Sequence, residues 1–435
     1  MATSSTASTA RKTPLTGNQV RGFWAAWGGW ALDGMDSFIY ALVMVPALRE
    51  LLPRSGLAAD EPKVVYYGSL MFALFLVGWG TSLLWGPVAD RFGRVRTLML
   101  TILCYSLFTF LGAVATNVWQ LALFRLLAGV GIGGEWSMGG TFVAEEWPED
   151  RRKLAAGLMH TGYYFGIFLA AIANSTIGAS FGWRAMFAVG GTPALLVAFI
   201  RYGVKESARW QKRRDEVGHS WTMQRAFTAL FTPEYRRRTL LNSIYLLVSV
   251  VGLWAGSVYV PASVTHLATA AGHSAAQVTR LASYATMLLS VGTIIGCLML
   301  PVLAERLGRR ATMAIYFALM AIFIALGFGY VYYLAANALW GFFVCLFFLG
   351  LGGANFAMYT LWLPEQYRTE CRASAFAFST SAGRFIGAGI TFLVGAGVAH
   401  FQTIGMPVAL TSLAFVIGLL LLPFGEETRG KPLPA

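Results

Sequence analysis

The sequence predicts an all-α membrane protein with twelve transmembrane helices in two pseudo-symmetric six-helix bundles. Three observations lead to this fold class. Hydrophobic residues make up 57% of the 435 residues and charged residues only 12%, whereas soluble domains carry roughly 25% charged residues. The apolar residues form about twelve stretches long enough to cross a bilayer, which takes about 20 residues per helix. A short charged motif also occurs twice, about half a chain apart.

The predicted spans are apolar stretches separated by short polar connections. They cover residues 22–48, 65–89, 97–116, 118–145, 154–178, 184–202, 239–267, 281–304, 311–331, 337–363, 372–396 and 404–424. No small-residue cleavage site follows a short apolar run near the N-terminus. We therefore expect the first stretch to be a retained helix rather than a signal peptide.

A repeated motif divides the chain into two halves. The segment GPVADRFGR at residues 86–94 recurs as PVLAERLGR at residues 301–309. The acid, the arginines and the second glycine of the first copy are each displaced by 215 residues in the second. PEDRR at residues 148–152 is answered by PEQYR at residues 364–368, at an offset of 216. Two motifs at nearly one offset indicate an internal duplication.

The domain boundaries follow from this duplication and from the one long polar connection. We predict an N-terminal tail at 1–21, a first bundle at 22–202, a central loop at 203–238, a second bundle at 239–424 and a C-terminal tail at 425–435. The central loop carries two basic triplets. It is interpreted as a solvated linker that contacts anionic headgroups, with a protein-binding site as the alternative.

The net charge of +13 is interpreted as a consequence of the orientation in the membrane rather than as a sign of nucleic-acid binding. If the connections alternate between the two sides, one side holds 26 Lys and Arg residues and the other holds 5. Cytoplasmic loops carry such an excess. Both termini and the central loop are therefore predicted to face the cytoplasm, and no nucleic-acid partner is expected.

Five charged residues lie inside predicted spans and away from their ends, namely Asp33, Asp36, Arg125, Glu135 and Arg384. A charge near a helix centre costs about 2.5 to 3.5 kcal/mol on insertion scales, so each is a candidate functional residue. The sequence has no nucleotide motif, metal-like cluster or nucleophile constellation. We therefore predict a non-enzymatic protein with no cofactor and no metal site.

Asp33 and Asp36 lie about 16 to 21 Å into the first span at 1.5 Å per residue. Their spacing of three puts both carboxylates on one helix face, which Tyr40 extends by a turn. Two close carboxylates in a low dielectric cannot both ionise cheaply, so one is expected to hold a proton. The alternative is that Asp33 only caps or pairs structurally with a basic residue.

The roles of the other three charged residues are predicted from their depth in the spans. Arg384, about twelve residues into its span, can offer a bidentate fork to a substrate carboxylate or to an internal one. Arg125 is shallower, and structural snorkelling is its alternative to a coupling role. Glu135 is either a second proton carrier or the acceptor for a backbone or Trp donor.

The repeated motif resembles the G-x-x-x-D-R-x-G-R-[RK] loop of the major facilitator superfamily, and the resemblance covers essentially the whole chain. It implies two six-helix bundles around a central site that opens alternately to each side. It further implies that the loop acid caps a neighbouring helix near span 11 while the arginines pair with acids at the inner end of span 4. The gate residues are thus Gly86, Asp90, Arg91, Gly93, Arg94, Glu145 and Glu146, with Glu305, Arg306, Gly308 and Arg309 in the second copy.

The subfamily is identified from shorter motifs. LDGMD at residues 32–36 resembles the D-G-x-D signature of the organic-acid:proton symporters, the sialate, monocarboxylate and aromatic-acid groups. GGEW at 133–136 and ETRG at 427–430 are similar to the same cluster. The resemblance implies that Arg125 pairs with an acid of the first span when that acid is ionised. ESARW at 206–210 resembles a sugar-porter run, but its two prolines are absent.

Further cavity candidates come from depth alone. They are Tyr40, Tyr164, Trp254, Asn355 and Tyr359 as substrate contacts, with Asn242, Tyr245 and Tyr284 as weaker ones. His160 is either a proton relay or a satisfied buried residue. GVGIGG at 129–134 formally matches a dinucleotide motif, but it lies inside an apolar span, so its glycines are interpreted as helix-packing positions.

Together these observations predict a secondary active transporter of the bacterial inner membrane. It would import a small organic anion with protons by alternating access, with the lipid bilayer as its surroundings and the monomer as its functional unit. Transport of sugars or neutral metabolites, and export, are the alternatives within transport. The alternative class is a transporter-like sensor that signals through the central loop.

Overall fold

A computed structural model describes residues 13–85, 88, 94–135, 147–197, 228–252, 257–431 and 434. Within these ranges the regular structure is entirely helical. The boundaries predicted around the central loop stay predictions, because residues 198–227 lie outside the described part.

The first half contributes six α-helices to the described part of the chain. They are α1 (Gly17–Arg54), α2 (Glu61–Gly80), α3 (Arg94–Gly112), α4 (Val118–Ile132), α5 (Glu149–Ala173) and α6 (Ala179–Val189). A π-helical turn, Asn174–Gly178, joins α5 to α6.

In its described part, the second half contributes nine α-helices. They are α7 (Arg236–Val250), α8 (Val260–Ala270), α9 (Ala275–Leu307), α10 (Arg309–Gly329), α11 (Ala338–Gly353), α12 (Asn355–Trp362), α13 (Thr369–Phe401), α14 (Gly405–Leu410) and α15 (Ser412–Leu421). Short interruptions divide predicted spans 10 and 12 into two helices each, whereas residues 253–256 of span 7 lie outside the described part.

The helices account for all twelve predicted spans. Among the described residues, nine helical stretches are long and apolar enough to cross a membrane, and one of them, Gly157–Val197, covers predicted spans 5 and 6. Helix α4 is a shorter apolar helix, and α7 and α8 together lie in predicted span 7. The prediction of an all-helical membrane fold is confirmed.

Polar side chains define where several helices begin at the ends of spans. Asp60 accepts a hydrogen bond from the backbone N–H of Lys63 at 2.9 Å and so caps α2. This bond lowers the pKa of the Asp60 carboxyl. Ser274 and Gln277 form a reciprocal capping box at the start of α9. These caps satisfy donors that no helix bond reaches.

Glycines allow the helices that carry the charged residues to pack closely. A Cβ on Gly166 of α5 would collide with the carbonyl of Ala31 on α1. The same holds for Gly129 of α4 against the carbonyl of Phe75 on α2. In the second half, Gly350 packs in this way on α9. The interpretation of GVGIGG as a packing motif is confirmed.

The two halves meet through polar contacts as well as apolar ones. Three of these contacts lie toward the end of the molecule where α1 ends and α2 begins: Tyr259 with Ser69 at 2.5 Å, Asn174 with Ser283 at 3.0 Å, and His266 with Glu61 at 2.7 Å. Tyr164 donates to the carbonyl of Gly353 at 3.1 Å nearer the middle.

We predict that Gly166→Ala destabilises the protein while Gly389→Ala does not. The added methyl at 166 meets a backbone carbonyl, and overpacking of this kind costs about 1 to 3 kcal/mol. The methyl at 389 meets open space and only restricts the unfolded chain. Thermal unfolding of the two purified variants measures the difference. Equal melting temperatures would contradict the tight α1–α5 contact.

Candidate functional site

The candidate site lies around the middle of α1, where both aspartates point into the protein. Asp33 and Asp36 are fully buried. They face different partners, since Asp36 lies next to Arg125 and Asp33 next to Glu135. The two aspartates, predicted to lie on one helix face, therefore have different charged neighbours.

Asp36 and Arg125 form a buried pair of opposite charges. Nη1 of Arg125 lies 3.9 Å from Oδ2 of Asp36, and both side chains are almost fully buried. The guanidinium also lies 4.3 Å from the ring centre of Phe75 and 5.1 Å from that of Tyr40. Since the aromatic faces attract the cation, Arg125 is held by one carboxylate and two rings.

Asp33 lies in a second, acidic group. Glu135 and Tyr105 are close enough to interact with its carboxylate. Within the described part of the chain, however, none of the oxygens of these three side chains has a hydrogen-bond partner at good geometry. Buried carboxylates normally have such partners. The group is therefore a place where a proton or a ligand would find acceptors.

Arg384 from the second half faces this region. Its guanidinium lies 4.4 Å from the ring centre of Trp79 at the end of α2, and the side chain is 2% exposed. Tyr163 and Asp33 are its electrostatic neighbours. A cation of the second half thus contacts an indole of the first half, close to the acids.

Aromatic side chains form the wall between the charges. Tyr163 lies 4.9 Å from Trp30 by ring centres, and the ring of His160 stacks on that of Phe356 at 6.5 Å. His160 also contacts Trp30 and Tyr164. Aromatic faces of this kind pack well against planar rings.

The other predicted substrate contacts are buried but mostly engaged in local bonds. Tyr40 donates to the carbonyl of Gly68 at 3.2 Å, and Tyr359 shares a 2.8 Å hydrogen bond with Ser249. Asn355 donates to the carbonyl of Gly352 at 2.8 Å, while its Oδ1 has no acceptor bond among the described residues. Trp254 lies outside the described residues.

Three weaker candidates stay predictions, and their surroundings differ. Tyr284 is 49% exposed. Asn242 donates to Gln366 and Tyr367, and Tyr245 donates to the carbonyl of Leu421. Depth along a span does not tell which way a side chain points around the helix, so depth alone does not assign these three residues to the site.

The second copy of the repeated motif forms a charged brace at one end of the second half. Arg309 binds Glu365 with two hydrogen bonds, at 2.9 and 2.7 Å, and donates to the carbonyl of Ala304 at 2.9 Å. Glu305 lies 3.5 Å from the same guanidinium. Gly308, with φ +92°, makes the turn into α10.

The start of α10 is capped from the C-terminal tail rather than by the motif acid. Glu427 accepts hydrogen bonds from the backbone N–H groups of Arg309 at 2.9 Å and Arg310 at 3.1 Å. Partial burial raises the pKa of Glu427, but these backbone donors outweigh it and leave the pKa below its usual value. Arg429 donates to the carbonyl of Arg306 at 2.8 Å, so the tail is fastened to the motif.

The first copy of the gate motif lies mostly outside the described residues. This applies to Gly86, Asp90, Arg91, Gly93, Glu145 and Glu146. Arg94 begins α3. The pairings that the resemblance implies for this copy therefore stay predictions.

Sequence reasoning missed several residues that build the site. Trp79, Tyr105 and Gly29 were not singled out, although Trp79 and Tyr105 are aromatic residues with polar atoms inside apolar spans. Such a side chain needs a buried partner, and this requirement was the available signal. Gly29 lies four residues before Asp33 and thus on the same helix face.

Comparison with known proteins agrees with this architecture. A family model described as Major Facilitator Superfamily matches residues 26–301. The chain belongs to the Major Facilitator Superfamily. This membership confirms the predicted family and the prediction of a transporter rather than an enzyme.

Individual relatives of this superfamily member extend over its whole length. A "Probable 4-methylmuconolactone transporter" of Cupriavidus pinatubonensis is 30% identical over 95% of this chain and 91% of its own. A niacin transporter of Acinetobacter baylyi is 28% identical over 94% of both chains. The solved xylose transporter XylE from E. coli shares the fold with a TM-score of 0.76 at 19% identity, over 96% of this chain and 100% of its own.

We predict that Asp36→Asn destabilises the protein more than the double variant Asp36→Asn/Arg125→Met. Removal of one partner from a buried ion pair leaves an uncompensated charge, which costs about 3 to 5 kcal/mol. Removal of both leaves none. Thermal unfolding of the single and double variants measures this coupling. Additive losses would show that the two side chains do not interact.

We predict that Glu427→Ala lowers the melting temperature near neutral pH, because loss of a helix cap costs about 1 kcal/mol. The folded-state pKa of Glu427 is lowered. Its carboxylate therefore stabilises the fold above its unfolded pKa, and this contribution disappears as the pH falls through the folded pKa. Unfolding of both proteins from neutral to acid pH should show the curves converging. A constant gap would contradict the charged cap.

Proposed function

We propose that the chain is a proton-coupled importer of small organic acids that works by alternating access. The observation that carries this proposal is the buried guanidinium of Arg384 beside a group of carboxylates in the middle of the membrane-spanning helices. A permanent cation at that depth can bind a substrate carboxylate through charge-assisted hydrogen bonds. An anionic substrate is therefore the kind of ligand that suits this position.

We further propose that the substrate carries its carboxylate on a flat, largely apolar ring. The aromatic wall of Trp30, Tyr163 and Phe356 supports this, because such faces stack on planar groups. The names of two relatives, transporters of niacin and of 4-methylmuconolactone, also favour ring compounds. Arg384 would bind the carboxylate, and the aromatic side chains would contact the ring.

Proton coupling would use the acids of α1 and Glu135, with Arg125 as the cation that compensates Asp36. The charged brace of Arg309 and Glu365 would hold the cytoplasmic end of the second half during the cycle. Both termini and the central loop would face the cytoplasm of a bacterial cell, as the distribution of Lys and Arg favours. The monomer would suffice, because both halves of the site lie in one chain.

Uptake into proteoliposomes tests the function. We expect labelled niacin to accumulate when an inward proton gradient is imposed and to equilibrate without it. Xylose serves as the neutral control and should not accumulate. Gradient-driven uptake of xylose but of no carboxylate would favour the sugar alternative, and the absence of any transport despite niacin binding would favour the sensor alternative.

We predict that Arg384→Ala weakens niacin binding about tenfold to a hundredfold, because a charged hydrogen bond contributes about 1.5 to 3 kcal/mol. Arg280→Ala removes the same charge from an exposed position of α9 and should leave affinity unchanged. Tryptophan fluorescence titration measures both. Retained affinity in the Arg384 variant would assign this arginine to structure.

A further inference from the structure

We propose that Asp33 and Glu135 together form the proton-carrying site, that Gly29 positions them, and that Asp36 is reserved for Arg125. The inference rests on the proposed function, since it names the groups that would carry the coupled proton. It separates the two aspartates of the D-G-x-D motif into different roles. Gly29 is a positioning residue in this scheme.

The two aspartates differ in the charges that surround them. Asp36 has a cation 3.9 Å away. Asp33 instead faces the carboxylate of Glu135, with Tyr105 beside both and Asp36 one turn further along α1. Arg384 is an electrostatic neighbour of Asp33, and its guanidinium also lies over Trp79. Unlike Asp36, Asp33 therefore has a like charge, that of Glu135, within direct reach.

Gly29 determines how closely Glu135 approaches α1. Its missing side chain leaves the space that the Glu135 carboxylate occupies, since a Cβ at this position would collide with Oε1. Gly29 and Asp33 lie on one face of α1, four residues apart. Because position 29 has no side chain, the Glu135 carboxylate can lie close to α1 beside Asp33.

Two adjacent buried carboxylates favour a single shared proton. With both ionised the pair carries two negative charges in a low dielectric, and one proton reduces this to one charge that the two groups can share. Binding and release of that proton changes the charge next to Arg384 by one. The cation would then bind the substrate carboxylate more strongly when Asp33 and Glu135 carry the proton.

Infrared difference spectroscopy of the full purified chain tests the shared proton without any substrate. The carbonyl stretch of a protonated carboxyl group should titrate in the wild type. In both Asp33→Asn and Glu135→Gln, the midpoint should move to lower pH, because the remaining acid has lost its like-charged neighbour. The double variant Asp36→Asn/Arg125→Met, which removes one negative and one positive charge together, should retain the band of the Asp33 and Glu135 pair. A band that depends on Asp36, or on only one of the other two acids, overturns the proposal.

A glycine pair tests the positioning without removing a charge. Gly29→Ala should shift the same titration, because its methyl group displaces the Glu135 carboxylate. Gly28→Ala adds the same methyl one residue earlier, where it meets Leu196 at an ordinary 3.8 Å, and should leave the titration unchanged. Glu135→Asp, which keeps the charge but shortens the side chain, replaces Gly29→Ala if that variant does not fold. Equal titration in all of these proteins overturns the role of Gly29.

Transport by the same variants separates this inference from the proposed function. In Asp33→Asn and Glu135→Gln, accumulation of niacin driven by a proton gradient should be lost, while exchange of niacin across gradient-free vesicles persists. Gradient-driven accumulation that survives in both overturns the inference. A wild type that carries no niacin contradicts the proposed function instead, and the infrared result still decides the proton site.

Discussion

Charge inside an apolar span has to be compensated by protein groups, and the middle of this molecule is organised by that requirement. Arg125 is compensated by Asp36 and by two aromatic faces. Arg384 is compensated in part by Trp79. These contacts need helices that approach closely, and α4, which bears Arg125, also bears Gly129 at its contact with α2. In this part of the fold, the burial of charged side chains therefore depends on close packing of the helices.

The two halves descend from one pattern but use it differently. Of the five charged residues inside the predicted spans, the first half contains four, namely Asp33, Asp36, Arg125 and Glu135. The second half contains Arg384. The brace of the second half also recruits Glu427 from the C-terminal tail to cap α10. In that half the motif acid Glu305 lies beside Arg309. The tail is therefore a structural part of the second bundle and not a loose end.

Most of the fold could be predicted from sequence, because span length, apolar composition and the repeat are properties of the chain itself. The depth of Asp33, Asp36 and Arg384 was predictable for the same reason. The partners were not, since a rotation about the helix axis decides which neighbour a side chain meets. Tyr284 illustrates this limit: it has a suitable depth but is exposed. Glu427 could not be assigned because its partners lie more than a hundred residues away in sequence.

The contacts between the halves near the start of α2 determine how readily that end can separate. Tyr259 with Ser69, Asn174 with Ser283 and His266 with Glu61 are single hydrogen bonds, each with a net contribution of about 1 kcal/mol. A difference of a few kcal/mol between two conformations leaves the minor one populated at roughly 0.1 to 10%. The three polar contacts at this end therefore contribute about 3 kcal/mol together, and a ligand that binds an open form better than a closed one by a similar free energy offsets them.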